Sequence, residues 1–247
     1  MTEWFRDWFD QDYAAIYAAR GPEEAGTAVA MALSRAPGLA SGPVLDLACG
    51  SGRHLAALRR TNGEAFGLDL SRDLLAMAPE ELRPWLLRGD MRRLPIRAGS
   101  LSGICMWFTP FGYFSDEQNR ALLAALRGLL RPGGVLLLDY LNAAQVRATL
   151  VKEDEAVHHG LRVVSRRSLE DKRIVKRMVL TRLETGDTRR VTESVRLYEP
   201  CELVAMAREC GLELSGEAGD YQGGAFDAAS SPRWIGFLRR NEVDWGQ

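Results

Sequence analysis

The stretch Val44-Leu45-Asp46-Leu47-Ala48-Cys49-Gly50-Ser51-Gly52-Arg53-His54 decides how this chain is read. Val44–Ala48 is an apolar run with the length of a buried strand, and it ends in a glycine turn that opens a helix over 50–60. Gly50 and Gly52 let the backbone approach a ligand closely, and a helix start presents free N–H groups. The next apolar run, Ala65–Leu70, ends in Gly67-Leu68-Asp69-Leu70-Ser71, which places Asp69 17 positions after Gly52. A carboxylate at that strand end accepts hydrogens from both hydroxyls of a ribose. A short third strand over 85–87 leads into Arg88-Gly89-Asp90-Met91, where a side-chain acceptor beside a free N–H matches the edge of an adenine. A nucleoside-containing ligand fits all three strand ends. A dinucleotide fits less well: G-x-G-x-x-G asks for glycine at the sixth position from Gly50, which is Leu55. Asp46 would also repel a pyrophosphate, whereas a cationic ligand would welcome it.

Working outward, Ser71 is a helix cap, and Leu101–Phe108 reads as a fourth strand. Ser115 caps a helix to about Leu130, with Asp116 and Glu117 at its positive end and Arg127 and Arg131 at the other. Arg131-Pro132-Gly133-Gly134 stops it, and Val135–Tyr140 is a wholly apolar fifth strand. Strands alternating with helices predict an α/β fold, a mostly parallel sheet with helices on both faces. Before it, residues 3–18 carry Trp4, Phe5, Trp8, Phe9, Tyr13, Ile16 and Tyr17 on one helical face, and Pro22 opens a second helix over 22–36. After it, Leu161–Leu169, Ile174–Leu183 and Arg190–Tyr198 read as three antiparallel strands with turns at 169–172 and 185–188. A helix over Pro200–Cys210, closed by Gly211, and strands at Leu212–Ser215 and Trp234–Leu238 return to the main sheet. The expected organisation is an N-terminal helical arm or lid (1–39), a core (40–150 with 199–247) and an antiparallel insert (151–198).

The 247 residues are 46% hydrophobic and 26% charged, which excludes a collagen, a disordered chain and a disulfide-dense mini-protein. The net charge of −1 gives no general affinity for polyanions. It conceals a basic insert, however: residues 160–196 hold 11 Lys and Arg against 5 Asp and Glu. Cys49, Cys105, Cys201 and Cys210 form no C-x-x-C pair, so no metal site is expected. No apolar run reaches the length of a membrane helix, and Met1-Thr2-Glu3-Trp4 is not a secretory leader; a cytoplasmic location is expected.

At these motifs the chain resembles a class I S-adenosylmethionine-dependent methyltransferase with a seven-stranded, Rossmann-like core. Val44–His54 resembles that family's first motif, Gly67–Ser71 its second, Gly89–Met91 its third, and Arg131–Asp139 its post-helix segment and fifth strand. One position departs: Ala48 stands where the family usually has glycine. The resemblance implies S-adenosylmethionine (AdoMet) as cofactor and S-adenosylhomocysteine as product. It implies that Ala48, Gly50 and Gly52 pass close to the amino acid portion, and that Asp46 orients the turn and the ammonium group. Asp69 and Leu70 would hold the ribose, and Asp90 and Met91 the adenine, with Trp107 also at the cofactor. Ordinary helix capping is the alternative for Asp46 and Asp90. Arg53 and His54 face either the cofactor carboxylate or solvent. In the arm, Tyr13 and Tyr17, and Arg20 less so, sit where relatives close over the cofactor; core packing against the sheet is the reading for Trp4, Phe5, Trp8 and Phe9. The acidic Glu3, Asp7, Asp10 and Asp12 disfavour a membrane-surface helix.

The acceptor side follows the fourth strand. Met106–Phe114 contains Thr109-Pro110-Phe111 and lacks the Asx of the [D/N]-P-P-[Y/F] motif that nucleobase amine methylases often carry. The stretch resembles a small-molecule-type subfamily whose antiparallel insert follows the fifth strand, a layout shared by enzymes that methylate amino groups of nucleotide-linked sugars and by glycine-type N-methyltransferases. The implied reaction is in-line methyl transfer to N or O of a small molecule, in which an amine need only be neutral and a hydroxyl needs a base. Tyr113, Tyr140 and Asn142 are candidates to orient the nucleophile. Phe111, Asp139, Arg196, Tyr198 and Tyr221 are candidates to line the acceptor pocket. The expected partner is a small-molecule acceptor, the expected assembly a monomer or homodimer. RNA docking on the basic insert is the alternative, a non-catalytic AdoMet-binding protein the second; the missing aromatic interleaving argues against RNA.

Overall fold

The computed structural model describes residues 3–241. Residues 1, 2 and 242–247, the ends of the ranges expected for the arm and the core, lie outside the described residues.

The arm is two short helices, α1 (Phe5–Trp8) and α2 (Gln11–Ile16). The single aromatic helix expected over 3–18 is broken because Asp10 turns extended and caps α2, accepting from the N–H groups of Asp12 and Tyr13. Helix α3 (Pro22–Arg35) follows. The core then alternates: β1 (Val44–Leu47), α4 (Arg53–Thr61), β2 (Ala65–Asp69), α5 (Arg72–Ala76), β3 (Leu86–Arg88), β4 (Leu101–Met106), α6 (Asp116–Leu129), β5 (Leu130–Leu141) and α7 (Ala143–Thr149). After the insert, α8 (Pro200–Glu209), β10 (Leu212–Ala218) and β11 (Arg233–Arg240) return to the core.

The seven strands are ordered β10-β11-β5-β4-β1-β2-β3. From β5 to β3 all pairs are parallel, and β11 runs antiparallel to both β5 and β10. Alternation along the strands sorts side chains into two cores. Ile104, Met106, Leu136 and Leu138 face leucines of α6 and Leu203 of α8; Cys105, Val135 and Leu137 face α3 and α4. Each buried leucine stabilises by about 1.5–3 kcal/mol, so the period-two pattern fixes which face meets which helices. The chain leaves β1 for β2 on one side and reaches β4 on the other, so the order reverses between β1 and β4. Outside the carboxyl ends of parallel strands, such a switch point opens a crevice.

The insert is a separate four-stranded antiparallel sheet: β6 (Glu153–His158), β7 (Leu161–Glu170), β8 (Arg173–Arg182) and β9 (Thr188–Arg196). Three strands were expected. The fourth, β6, reads Glu-Asp-Glu-Ala-Val-His and has no apolar alternation. It holds the edge through the ladder to β7 and through ion pairs of Glu153, Asp154 and Glu155 with Arg166, Arg167 and Arg162. Trp8 also departs from expectation. It packs with Ile16 on Leu161, Val163, Met178 and Leu180 of the insert, not on the main sheet. Among the described residues no helix is long and apolar enough to cross a membrane.

Candidate functional site

The carboxyl ends of β1 to β4 and the arm enclose a cavity of about 270 Å³. Its floor is the glycine turn. Gly50 and Gly52 have φ of 56° and 82°, and Ala48, at 60°, holds the same left-handed backbone without being glycine. Asp69 ties this turn to the second strand end: its Oδ2 accepts from Gly50 N at 2.7 Å and its Oδ1 from Ser71 N at 2.8 Å. Burial raises its pKa, and these N–H donors oppose that rise. Each oxygen keeps a second lone pair for a ligand hydroxyl.

Asp46 lies beneath the turn and does not line the cavity. It is 1% exposed, and neither carboxylate oxygen has a hydrogen-bond partner within bonding geometry among the described residues. Burial, reinforced by the charge of Asp69, pushes its pKa up to about 7, against the weaker opposing pull of the Leu55 N–H and of Arg53. An unpartnered buried carboxylate is costly unless a cation or water reaches it. His54 is stacked on Trp107 at 4.8 Å, and both His54 Nε2 and Trp107 Nε1 are buried without a partner among the described residues. Burial pushes the His54 pKa down, so the ring is neutral. At the third strand end Asp90 and Met91 line the cavity. Arg92 grips the Asp90 carboxylate with Nη2 at 2.6 Å and holds it below the usual range.

The roof comes from the arm: Phe5, Phe9, Tyr13, Tyr17 and Arg20. The Arg20 guanidinium lies 4.0 Å over the Tyr17 ring and 4.1 Å over Phe108, and donates to Tyr13 Oη at 3.3 Å. The insert anchors this roof. Glu193 Oε1 accepts from Trp8 Nε1 at 2.6 Å and from Tyr17 Oη at 3.3 Å, and Lys176 Nζ donates to Tyr17 Oη at 2.9 Å. Burial raises the Tyr13 and Tyr17 phenols and lowers the Lys176 ammonium.

The cavity therefore brings together Tyr13, Tyr17, Ala48, Gly50, Asp69, Leu70, Asp90, Met91, Trp107 and Tyr113, and leaves Gly52 at the cap of α4. Most residues expected at the acceptor stand outside its wall, with their polar atoms engaged elsewhere. Tyr140 is buried and donates to Arg196 O. Asn142 caps α7 and donates to Ala228 O and Ser231 O at 3.0 and 2.7 Å. Phe111 sits in the core against Tyr140 and Tyr198. Arg196 pairs with Asp116 and Glu202, and Tyr198 Oη donates to Asp116 at 2.6 Å. Asp139 and Tyr221 bond each other behind Phe108. Strand-end position drew attention to Tyr140, Asp139 and Asn142, and a place in a loop or junction to the others, but position does not reveal a partner already in place. Conversely, Phe5 and Phe9, assigned to packing, line the cavity, as do Phe108, Pro110 and Phe114. Their signal was the aromatic density of 3–18 and of 106–114.

The positive charge of the insert is met internally. Seven of its nine arginines, 162, 166, 167, 177, 182, 189 and 196, pair with carboxylates of β6, β7, the arm and the core. The acids that answer Arg182 and Arg189 are Asp12 and Asp10 of the arm.

Residues 44–134 match the methyltransferase domain family. Among curated proteins, the chain is 35% identical over 133 residues to dTDP-3-amino-3,4,6-trideoxy-alpha-D-glucopyranose N,N-dimethyltransferase of Streptomyces venezuelae, covering 51% of this chain and 54% of that protein. The chain thus spans about half the length of the curated relatives it matches. Among solved structures, Streptomyces venezuelae DesVI superposes with a TM-score of 0.63 at 26% identity over 91% of this chain and 95% of that one. The CcbJ methyltransferase of Streptomyces caelestis superposes with a TM-score of 0.75 at 22% identity over 88% and 90%. The match to the methyltransferase domain over residues 44–134 and the superpositions give the chain the class I, Rossmann-like fold of the S-adenosylmethionine-dependent methyltransferases.

Proposed function

We propose that the cavity binds AdoMet and that the chain methylates an amine nitrogen of a small molecule, of the amino-sugar class. The observation that carries the cofactor is Asp46, a buried carboxylate with neither oxygen partnered, directly beneath a left-handed glycine turn. A cationic amino acid group above that turn, reached directly or through water, supplies what the carboxylate lacks. Asp69 would hold a ribose, Asp90 and Met91 the adenine, and the rings of Tyr13 and Tyr17 would face the sulfonium cation. AdoMet, when bound, supplies a methyl group already activated on sulfur. What remains for the protein is alignment and exclusion of water. Tyr113, at the wall and pushed well above its ordinary pKa by burial, stays protonated and is the candidate to orient the nucleophile. In this reading residues 1–39 form the lid, 40–150 with 199–247 the cofactor core, and 151–198 the cap on the acceptor side.

The amine and the sugar are supported by the names of the relatives, among them two more N,N-dimethyltransferases of dTDP-linked amino sugars. A neutral amine needs no general base, which agrees with a wall whose two carboxylates, Asp69 and Asp90, are both taken up by the cofactor in this reading. The internal ion pairs of the insert count against an RNA-docking face. Calorimetry with S-adenosylhomocysteine, on the wild type and Asp69→Ala, tests the cofactor; a radiolabelled-AdoMet screen of nucleotide-linked amino sugars against tRNA tests the acceptor. Absence of binding that Asp69→Ala leaves unchanged refutes the first. Label in tRNA alone refutes the second.

A further inference from the structure

Phe108 and Thr109, just past β4, both hold left-handed backbone, with φ of 61° and 65°. A β-branched residue and a bulky aromatic adopt that conformation in succession only where their surroundings enforce it. The enforcing group is Asp139. It is fully buried, and its Oδ2 accepts from Phe108 N at 2.7 Å while its backbone oxygen accepts from Thr109 N at 3.0 Å. Two residues from the last part of the chain complete the arrangement. Tyr221 Oη donates to Asp139 Oδ2 at 2.6 Å, and Arg233 Nε donates to Oδ1. Arg233 Nη2 also donates to Thr109 Oγ1 at 2.8 Å, and its guanidinium lies 4.8 Å from the Phe108 ring. The same ring lies 4.1 Å from Arg20 and 4.9 Å from Arg53, and it forms part of the cavity wall.

We infer that Tyr221 and Arg233 are positioning residues: through Asp139 they lock the Phe108–Thr109 turn, and through the turn they fix the wall of the cofactor and acceptor cavity. This rests on the function proposed above only for what the cavity holds; the lock itself is a property of the apo chain. Tyr221 does not line the cavity, and its ring packs beside Phe108 with centroids 6.2 Å apart, so Tyr221→Phe, which keeps the ring and removes only the hydroxyl, isolates the bond to Asp139. Its hydroxyl helps hold a carboxylate that otherwise accepts from Phe108 N alone on that oxygen.

The test uses the full chain and S-adenosylhomocysteine. In Tyr221→Phe, amide exchange at Phe108 and Thr109 speeds up by about tenfold, while exchange in β1 and β2 is unchanged. Affinity for S-adenosylhomocysteine falls by about tenfold. Thr109→Gly, which adopts left-handed backbone without strain, recovers most of that affinity in the double variant, a rescue that general destabilisation would not show. Unchanged exchange at residues 108 and 109 overturns the lock. Faster exchange without rescue by Thr109→Gly overturns its action through the turn. If the wild type binds no S-adenosylhomocysteine, the cofactor reading fails, and the exchange measurement still decides the lock.

Discussion

Replacing Asp46 by Asn removes a charge from a buried site with no ion pair for it among the described residues, and the consequence depends on pH in a definite direction. The carboxyl is raised from 3.8 to about 7 by burial and by Asp69. A raised carboxyl binds its proton more tightly in the folded chain than in the unfolded one. Stability contributed by the protonated form is therefore complete below pH 4, is lost as pH rises from there to about 7, and stays lost above. Roughly 3 units at about 1.4 kcal/mol each give a cost of ionisation near 4 kcal/mol by pH 8, against roughly 1.7 at pH 5. Asn is uncharged at every pH and of the same shape. The stability gain of Asp46→Asn over wild type should accordingly grow by about 2–3 kcal/mol from pH 5 to pH 8. Urea unfolding of both proteins without ligand, at the two pH values and with m held constant, measures it. The same substitution should weaken S-adenosylhomocysteine binding by about tenfold at pH 8 and less at pH 5, because only the ionised carboxylate attracts an ammonium group. A stability difference that does not change with pH refutes the reasoning, since it would mean that Asp46 is ionised or neutral in both states alike.

Three further substitutions test the architecture around the site. Ala48→Gly relieves left-handed backbone at φ 60° and should raise Tm by about 2–4 °C, from about 1 kcal/mol, in differential scanning fluorimetry; a lower Tm contradicts the strain. Trp8→Ala leaves a void against Leu161, Val163, Met178 and Leu180 and leaves Glu193 with Tyr17 as its donor from the arm; it should cost about 3–5 kcal/mol and expose the arm to limited proteolysis before the core is cut, whereas cleavage at wild-type rates would show that the arm is held otherwise. Arg173→Met removes donors to the carbonyls of Gly112, Tyr113, Phe114 and Ser194 at 2.8–3.1 Å; it should destabilise by about 2–4 kcal/mol, read by urea unfolding, and leave any salt-dependent tRNA retention on filters unchanged. A loss of tRNA retention with stability intact would instead restore the insert as a nucleic-acid face.

The contrast between Asp69 and Tyr140 shows what a sequence carries about such a site and what it withholds. Asp69 was legible because its surroundings are local. It ends an apolar run, stands a fixed distance after a glycine turn, and the parallel pairing that puts β2 beside β1 brings its carboxylate to Gly50. The same holds for the mostly parallel sheet with helices on both faces, since alternating apolar runs and capped helices are the pattern of such a sheet. Tyr140 also ends a strand and was read by the same logic, yet its hydroxyl is consumed by Arg196 O, 56 positions away. Asp139, Tyr221 and Arg233 are separated by 82 and 94 positions in the bonds they make, and nothing near any one of them announces the others. The strand β6 was missed for a related reason: its acids pair across the ladder with arginines that read, on their own, as a free positive patch. Local chemistry thus places the ligand side of the cavity. The acceptor side depends on which polar groups are already spoken for by distant partners, and that is decided by the fold. Four residues face the cavity with something left to bond, His54, Asp69, Trp107 and Tyr113, and the proposed chemistry rests first on Asp69 for the ribose and Tyr113 for the nucleophile.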